Sequence, residues 1–258
     1  MLIGAQLYTL RMYAQNERDL ARTLKQVSDI GYRTVQISGV GPIAPQRIKA
    51  LCDDNGLQIV LTHCSDDDFL QHADELIERH RLYGCRYVGT GGMPERYRQH
   101  GWVEHYAEDF SGPARKLKEA GMLFMYHNHA FEFARQADGC TLMDRLLELM
   151  PADLMGVTAD TYWLQYAGVD VNDWLQKHAD RLACVHLKDM TPHHFENRMA
   201  AVGRGSMNFP AILNTLNNNG VTEYALVEQD DCYGESPFAC LKQSFDYLAG
   251  WVDEQPAR

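Results

Sequence analysis

Short apolar runs alternate with longer amphipathic ones along the whole chain, and this alternation restricts the fold more than any other property. The strand candidates are IGAQLY, TVQIS, QIVLTH, YVGT, LFMYHNH, MGVTAD, ACVHLKD and ALVEQD, several of them rich in Val, Ile, Tyr or Thr. Between them lie stretches of helical periodicity. ERDLARTLKQVSDIG places Leu20, Leu24, Val27 and Ile30 on one stripe and ends at Gly31, a C-cap signal. APQRIKALCDDNG, DDDFLQHADELIERHRLYG, HYAEDFSGPARKLKEAG, LMDRLLELM, VNDWLQKHA and FPAILNTLNNNG read the same way, several closing on Gly56, Gly84, Gly121 or Gly220. Pro113 predicts a kink or a break in the fourth helix.

Strict alternation implies a parallel sheet, and about eight repeats of roughly 30 residues imply closure into a single α/β (β/α)8 barrel. The chain of 258 residues has the length of one such barrel and no Pro/Gly/Ser-rich linker, so we expect one domain over residues 1–258. An open doubly wound sheet is the rival. It would place GxGxxG after the first strand, whereas GVGP at residues 39–42 follows the second and lacks the third glycine. WVDEQPAR reads as a frayed tail.

The net charge of −11 opposes nucleic acid, whose binding relies on clustered Lys and Arg. No run approaches a membrane span, and MLIGAQLYTLR is too short and wrongly flanked for a signal peptide, so the expected location is the cytoplasm. The seven cysteines form no CxxC pair, which argues against a disulfide framework or a zinc knuckle. A small neutral or metal-chelating substrate is the expected partner. Tyr247 and Trp251, spaced i, i+4, fit either a homo-oligomer contact or packing on their own barrel.

Several strand candidates end on residues that ligate metals. His127 closes LFMYH, Asp160 closes MGVTAD, His186 lies in CVHLKD and Glu228 ends ALVE. Alone, Asp160 reads as an N-cap, Glu228 as a surface residue at a strand end, and His186 equally as a hydrogen-bonded core histidine or a ligand. Together, on strands whose C-terminal ends converge, they make a divalent-metal site. On the fifth strand, side-chain alternation points His129 inward with His127 and turns Asn128 towards the helices. Glu132, just past the strand, is a candidate ligand or base.

Lys188 faces the interior with His186 as an ion-pair partner or as a cation for a substrate oxygen, and Asp189 faces outwards as a cap. His63 and Gln6 occupy comparable mouth positions as substrate contacts or satisfied core groups. Tyr162 and Trp163 lead a set of aromatics suited to stacking on a sugar ring or to plain packing.

As a set, GAQLYTLR, YHNHAFEF, DTYW with the later AGVD, HLKDM, VGRGSMNF and VEQDDCYGESPFACLKQSFDYL resemble the sugar phosphate isomerase/epimerase family of xylose-isomerase-like TIM barrels, over nearly the whole chain. The resemblance implies a divalent ion, commonly Mn, Co or Mg with Zn as a further candidate, held by Glu, Asp, His and Glu from strands five to eight, the last three falling on Asp160, His186 and Glu228. HNH stands where many relatives carry the first glutamate, which leaves the fourth ligand among His127, His129 and Glu132. VGRG replaces a usual VGEG, so Arg204 is a candidate for an anionic substrate group or a solvated loop residue.

The shared chemistry that the resemblance implies is proton abstraction next to the carbonyl of a keto-sugar, through a metal-held enediolate. We expect an isomerase or epimerase with Glu228 as base, Glu132 or an HNH histidine returning the proton, and Lys188 assisting the oxyanion. An imidazolium on the fifth strand can protonate a leaving oxygen, which tilts the reading towards a dehydratase or lyase acting on a keto-inositol or 3-keto-glycoside. An endonuclease-like phosphodiesterase and a non-catalytic barrel are the remaining alternatives.

Overall fold

The computed structural model describes residues 1–99 and 101–251. Its strands are β1 (Leu2–Gln6), β2 (Thr34–Ile37), β3 (Gln58–Cys64), β4 (Tyr87–Thr90), β5 (Leu123–His127), β6 (Met155–Asp160), β7 (Cys184–Leu187), β8 (Asp189–His193), β9 (Glu196–Ala200) and β10 (Tyr224–Val227). All but β8 and β9 form one closed parallel barrel in the order β1-β10-β7-β6-β5-β4-β3-β2. The (β/α)8 expectation therefore holds, with an antiparallel β8–β9 hairpin added after the seventh barrel strand. Tail residues 252–258 lie outside the described residues.

The helices are α1 (Glu17–Ile30), α2 (Pro45–Asp54), α3 (Asp66–Leu70), α4 (Ala73–Tyr83), α5 (Val103–Glu119), α6 (Leu142–Leu149), α7 (Thr161–Tyr166), α8 (Val171–Lys177), α9 (Phe209–Asn218) and α10 (Pro237–Leu248). The α1 stripe packs as its periodicity requires, with Leu20, Leu24 and Val27 fully buried. α5 runs through Pro113 without a break. Asp109, the residue whose carbonyl Pro113 leaves without a donor, is exposed, so water can serve it. Tyr247 and Trp251 pack against the core of their own barrel. Among the described residues no helix is long and apolar enough to cross a membrane.

Strand alternation divides the core. One face of the barrel strands, with Ile3, Val35, Val88, Phe124, Val157 and Val185, packs on the helices. Leu61, Tyr87, Met125, Cys184 and Leu226 form a second apolar cluster in the barrel. Two residues further along their strands from Leu61, Met125, Cys184 and Leu226 come His63, His127, His186 and Glu228. The period of two thus carries the same inward face from an apolar plug to a polar mouth. Gly89 helps to make the room: a Cβ there would stand 2.7 Å from the Thr62 carbonyl oxygen and 3.3 Å from His63 Cδ2.

Candidate metal centre

His127, Asp160, His186 and Glu228 each offer one ligand atom, and these atoms lie within 4.8 Å of one another. Donors about 2.1 Å from a shared ion stand roughly 3–4 Å apart, so a spread of up to 4.8 Å needs a closure of about 1 Å for all four to meet one cation. All four residues are at least 96% buried. Asp160 Oδ2, His186 Nδ1 and Glu228 Oε2 are buried without a hydrogen bond. They do approach at ion-pair range: His186 Nδ1 is 3.0 Å from Glu228 Oε2, and Lys188 Nζ is 2.8 Å from Glu228 and 3.1 Å from Asp160. Close donor atoms without hydrogen-bond directionality are what an ion would satisfy.

Neighbouring groups orient three of the four ligands. His186 Nε2–H donates to Gln36 Oε1 at 2.7 Å, which leaves Nδ1 with its lone pair towards the carboxylates. His127 Nδ1–H donates to the Thr158 carbonyl at 3.4 Å and leaves Nε2 as its free base. Asp160 divides its carboxylate: Oδ1 accepts from Trp163 N at 3.1 Å as the cap of α7, while Oδ2 faces the cluster. Cap and ligand are compatible roles of one side chain. Asn128 lies along the sheet rather than towards the helices, its Oδ1 accepting from Asp160 N at 3.0 Å.

Burial lowers His63 to about 3 and His129 to about 4, with Lys188 adding to both, and holds His127 well below its usual value. The imidazolium expected on the fifth strand is therefore a neutral base. Burial raises Asp160 to about 6. Burial also opposes the charge of Lys188, but Asp160, Glu228 and Asp230 outweigh it and hold the ammonium protonated. Glu228 moves down despite burial because Lys188 and His186 face it.

Above the cluster opens a cavity of about 400 Å³ lined by His63, His127, His129, Lys188, Glu228 and Asp230, among others. Trp163 borders it, 5.4 Å from the His129 ring and 5.8 Å from Lys188 Nζ. Other expected site residues lie elsewhere. Glu132 is fully buried, with Oε1 accepting from Tyr126 O–H at 2.7 Å and Oε2 from His129 N at 3.0 Å. It holds the backbone of the HNH turn and does not line the mouth, which corrects both its ligand and its base assignment. Gln6 is buried outside the cavity lining and caps the following turn through Tyr8 N.

Tyr162 packs with Met190 and Met199 under the hairpin. Arg204 is exposed and lines a separate cavity with Gln229 and Tyr233. Sequence reasoning missed Gln36, Ser38 and the Asp230 carboxylate. A glutamine inside TVQI, at the alternate position that faces the barrel, was the available signal for the first. A cleft between Arg98 and Arg145 lies apart from these residues, and both arginines are already engaged there.

The fold and the buried cluster of two histidines and two carboxylates define a (β/α)8 barrel able to hold a divalent cation at its C-terminal mouth. Residues 24–249 match the xylose isomerase-like TIM barrel family, and the chain belongs to that family. It is 27% identical over 139 residues to an inosose dehydratase of Clostridium perfringens, a match covering 48% of this chain and 46% of that protein. The matched stretch spans about half the length of that relative.

A sugar phosphate isomerase/epimerase structure from Parabacteroides distasonis superposes with a TM-score of 0.81 at 25% identity, covering 96% of this chain and 97% of the other. An L-ribulose 3-epimerase superposes with a TM-score of 0.75 at 16% identity, over 96% and 94% of the two chains, and at that identity the likeness concerns the fold alone.

Proposed function

We propose that this chain is a divalent-metal-dependent enzyme that removes a proton next to the carbonyl of a keto-sugar or keto-polyol and then expels an oxygen substituent from the neighbouring carbon, as a dehydratase or lyase. The observation that carries the reading is the convergence of three buried donor atoms, Asp160 Oδ2, His186 Nδ1 and Glu228 Oε2, beside the Lys188 ammonium and beneath a cavity walled by neutral imidazoles. His127, Asp160, His186 and Glu228 would hold the ion, and two imidazole nitrogens among the donors favour Mn, Co or Zn over Mg. Bound there, a divalent ion supplies Lewis acidity to a carbonyl oxygen and so acidifies the adjacent C–H.

The remaining roles fall to the protein. A neutral imidazole in the cavity, His129 or His63, is able to accept the carbon-bound proton and, once protonated, to deliver it to the departing oxygen, so that one group serves as base and then as acid. Lys188 donates to an oxygen that gains charge, its own charge maintained by three carboxylates. Sequestration of Glu132 outside the mouth takes away the second carboxylate that a two-glutamate epimerisation requires, and the match to an inosose dehydratase points the same way.

Isomerisation or epimerisation is the second reading, favoured by the 25%-identical sugar phosphate isomerase/epimerase structure; the proton then returns to carbon. The deciding experiment follows a panel of keto-sugars and keto-inositols by proton NMR in deuterated water with manganese, cobalt or zinc added. Metal-dependent loss of the β-oxygen substituent supports elimination, and deuterium entering an intact, rearranged sugar supports the second reading. No exchange with any metal or substrate would sink both.

A further inference from the structure

Three carboxylates surround the Lys188 ammonium, and they are not equivalent. Asp160 and Glu228 approach it with Oδ2 and Oε2, the same atoms that face the donor cluster, and their side chains are 0% and 4% exposed. Asp230 stands outside that cluster. It hydrogen-bonds to Lys188 Nζ through both oxygens, at 3.0 and 3.1 Å, keeps 28% of its side chain exposed and lines the cavity. Each of its oxygens has a second lone pair, so the carboxylate can take a further hydrogen bond from the cavity without giving up Lys188. Its backbone is anchored from two sides: the carbonyl accepts from Arg11 Nη2 at 2.9 Å, and the N–H donates to Met199 Sδ of β9 at 3.2 Å. A change confined to the carboxylate leaves both anchors in place.

Charge over the cluster is already balanced. Among the described residues lining the cavity, Lys188 is the one Lys or Arg side chain. An ammonium and a divalent ion against three carboxylates leave no surplus positive charge. At the rim, Arg11 gives its two terminal nitrogens to the carbonyl oxygens of Tyr8 and Asp230. Arg198 and Arg204 line a cavity that shares no residue with this one. In the loop after the seventh barrel strand, where barrels of this kind commonly seat a phosphate, the N–H groups of Gly203, Gly205 and Met207 donate at 3.0, 2.9 and 3.3 Å to the Asp189 carboxylate and are not open to a ligand.

Resting on the proposed reaction, we infer that Asp230 determines specificity: the Lys188–Asp230 pair binds two neighbouring hydroxyl groups of an uncharged polyol ring, the ammonium donating to one oxygen and the carboxylate accepting from the O–H of the next, and it turns phosphorylated sugars away. Each hydroxyl of such a ring both donates and accepts, and neighbouring ones are spaced much as Nζ and the Asp230 oxygens are. A phosphate dianion has no proton to give the carboxylate and meets its charge instead.

The test is isothermal titration calorimetry of the full chain in the presence of manganese, with 1,5-anhydro-D-glucitol and its 6-phosphate. Neither probe has a carbonyl, so neither is consumed. The wild-type protein is expected to bind the unphosphorylated polyol more tightly than the phosphate. Asp230→Ala should lose at least about tenfold in polyol affinity. Asp230→Asn, which keeps an acceptor oxygen but not the charge, should recover part of that loss and bind the phosphate more tightly than wild type does. Tighter binding of the phosphate by the wild-type protein, or no polyol binding at all, overturns the inference without reference to any variant. So does polyol affinity that is the same in Asp230→Ala, or a loss of manganese affinity in Asp230→Asn as large as in Asp160→Asn, which would put the carboxylate on the ion. Polyol binding that depends on Asp230 in a protein that exchanges no deuterium would keep the pair and reject the reaction; exchange with polyol binding indifferent to Asp230 would do the reverse.

Discussion

Asp160 holds a helix cap and a candidate ligand on one carboxylate, and the two roles separate by mutation. Asparagine retains a cap acceptor but not the anionic donor; alanine retains neither. We expect Asp160→Asn and Asp160→Ala to lose manganese affinity alike, by at least the roughly 10–100-fold that a lost supporting group costs. Their metal-free stabilities should differ, alanine being lower by about 1 kcal/mol in urea unfolding. Equal stabilities would mean that the cap contributes nothing. Gln36 acts at one remove, by fixing the His186 tautomer. Gln36→Leu should weaken metal binding about 10–100-fold with the four ligands intact, and Gln36→Glu, which keeps an acceptor, should restore most of it. Unchanged affinity in the leucine variant would show that His186 presents Nδ1 without help.

The hairpin β8–β9 and the loop behind it form an element tied by one side chain. Asp189 is 1% exposed and accepts from Met190, Gly203, Gly205 and Met207 N–H groups. Asp189→Ala leaves these donors without their acceptor and should cost about 3 kcal/mol, with faster amide exchange over residues 203–207 than in the barrel strands. Exchange that stays slow would place the restraint elsewhere.

Such elements were the least legible part of the sequence. The barrel strands announce themselves because each carries a continuous buried run, and the site followed because His127, Asp160, His186 and Glu228 end those runs. β8 and β9 carry no alternation of that kind, since their tip is exposed, Phe195 completely so. DDDFLQHADELIERHRLYG reads as one helix but is α3 and α4, broken at His72 with φ −128° and ψ 34°. Periodicity crosses the break because Phe69, Ala73, Leu76 and Ile77 are buried on both sides of it. Glu132 misled for a related reason: proximity to HNH in sequence says nothing of which side of the sheet the chain turns to after β5, and Tyr126 draws it to the outer side.

At the scale of the whole molecule, closure of the barrel buries polar groups that water would otherwise solvate, and one of them makes stability depend on pH in a calculable direction. His80 on α4 is fully buried against β3, with Nδ1–H donating to the Leu76 carbonyl at 2.7 Å and Nε2 accepting from Thr62 O–H at 2.8 Å. Burial lowers its pKa to about 4, the Leu76 carbonyl opposing in part. The unfolded chain, with an ordinary histidine near 6.5, therefore binds more protons than the fold between pH 6.5 and 4. In that window stability rises with pH, so the contribution of a neutral His80 is complete above about pH 6.5 and is lost as the pH falls. Roughly 2 kcal/mol should be gone by pH 5 and about 3 below pH 4. Urea unfolding of wild type and His80→Gln from pH 4.5 to 7.5 isolates this term, because other titrating groups are common to both. The stability difference between the two should favour wild type least at the acid end and grow towards neutrality; a difference independent of pH would mean that His80 titrates in the fold as it does in the unfolded chain.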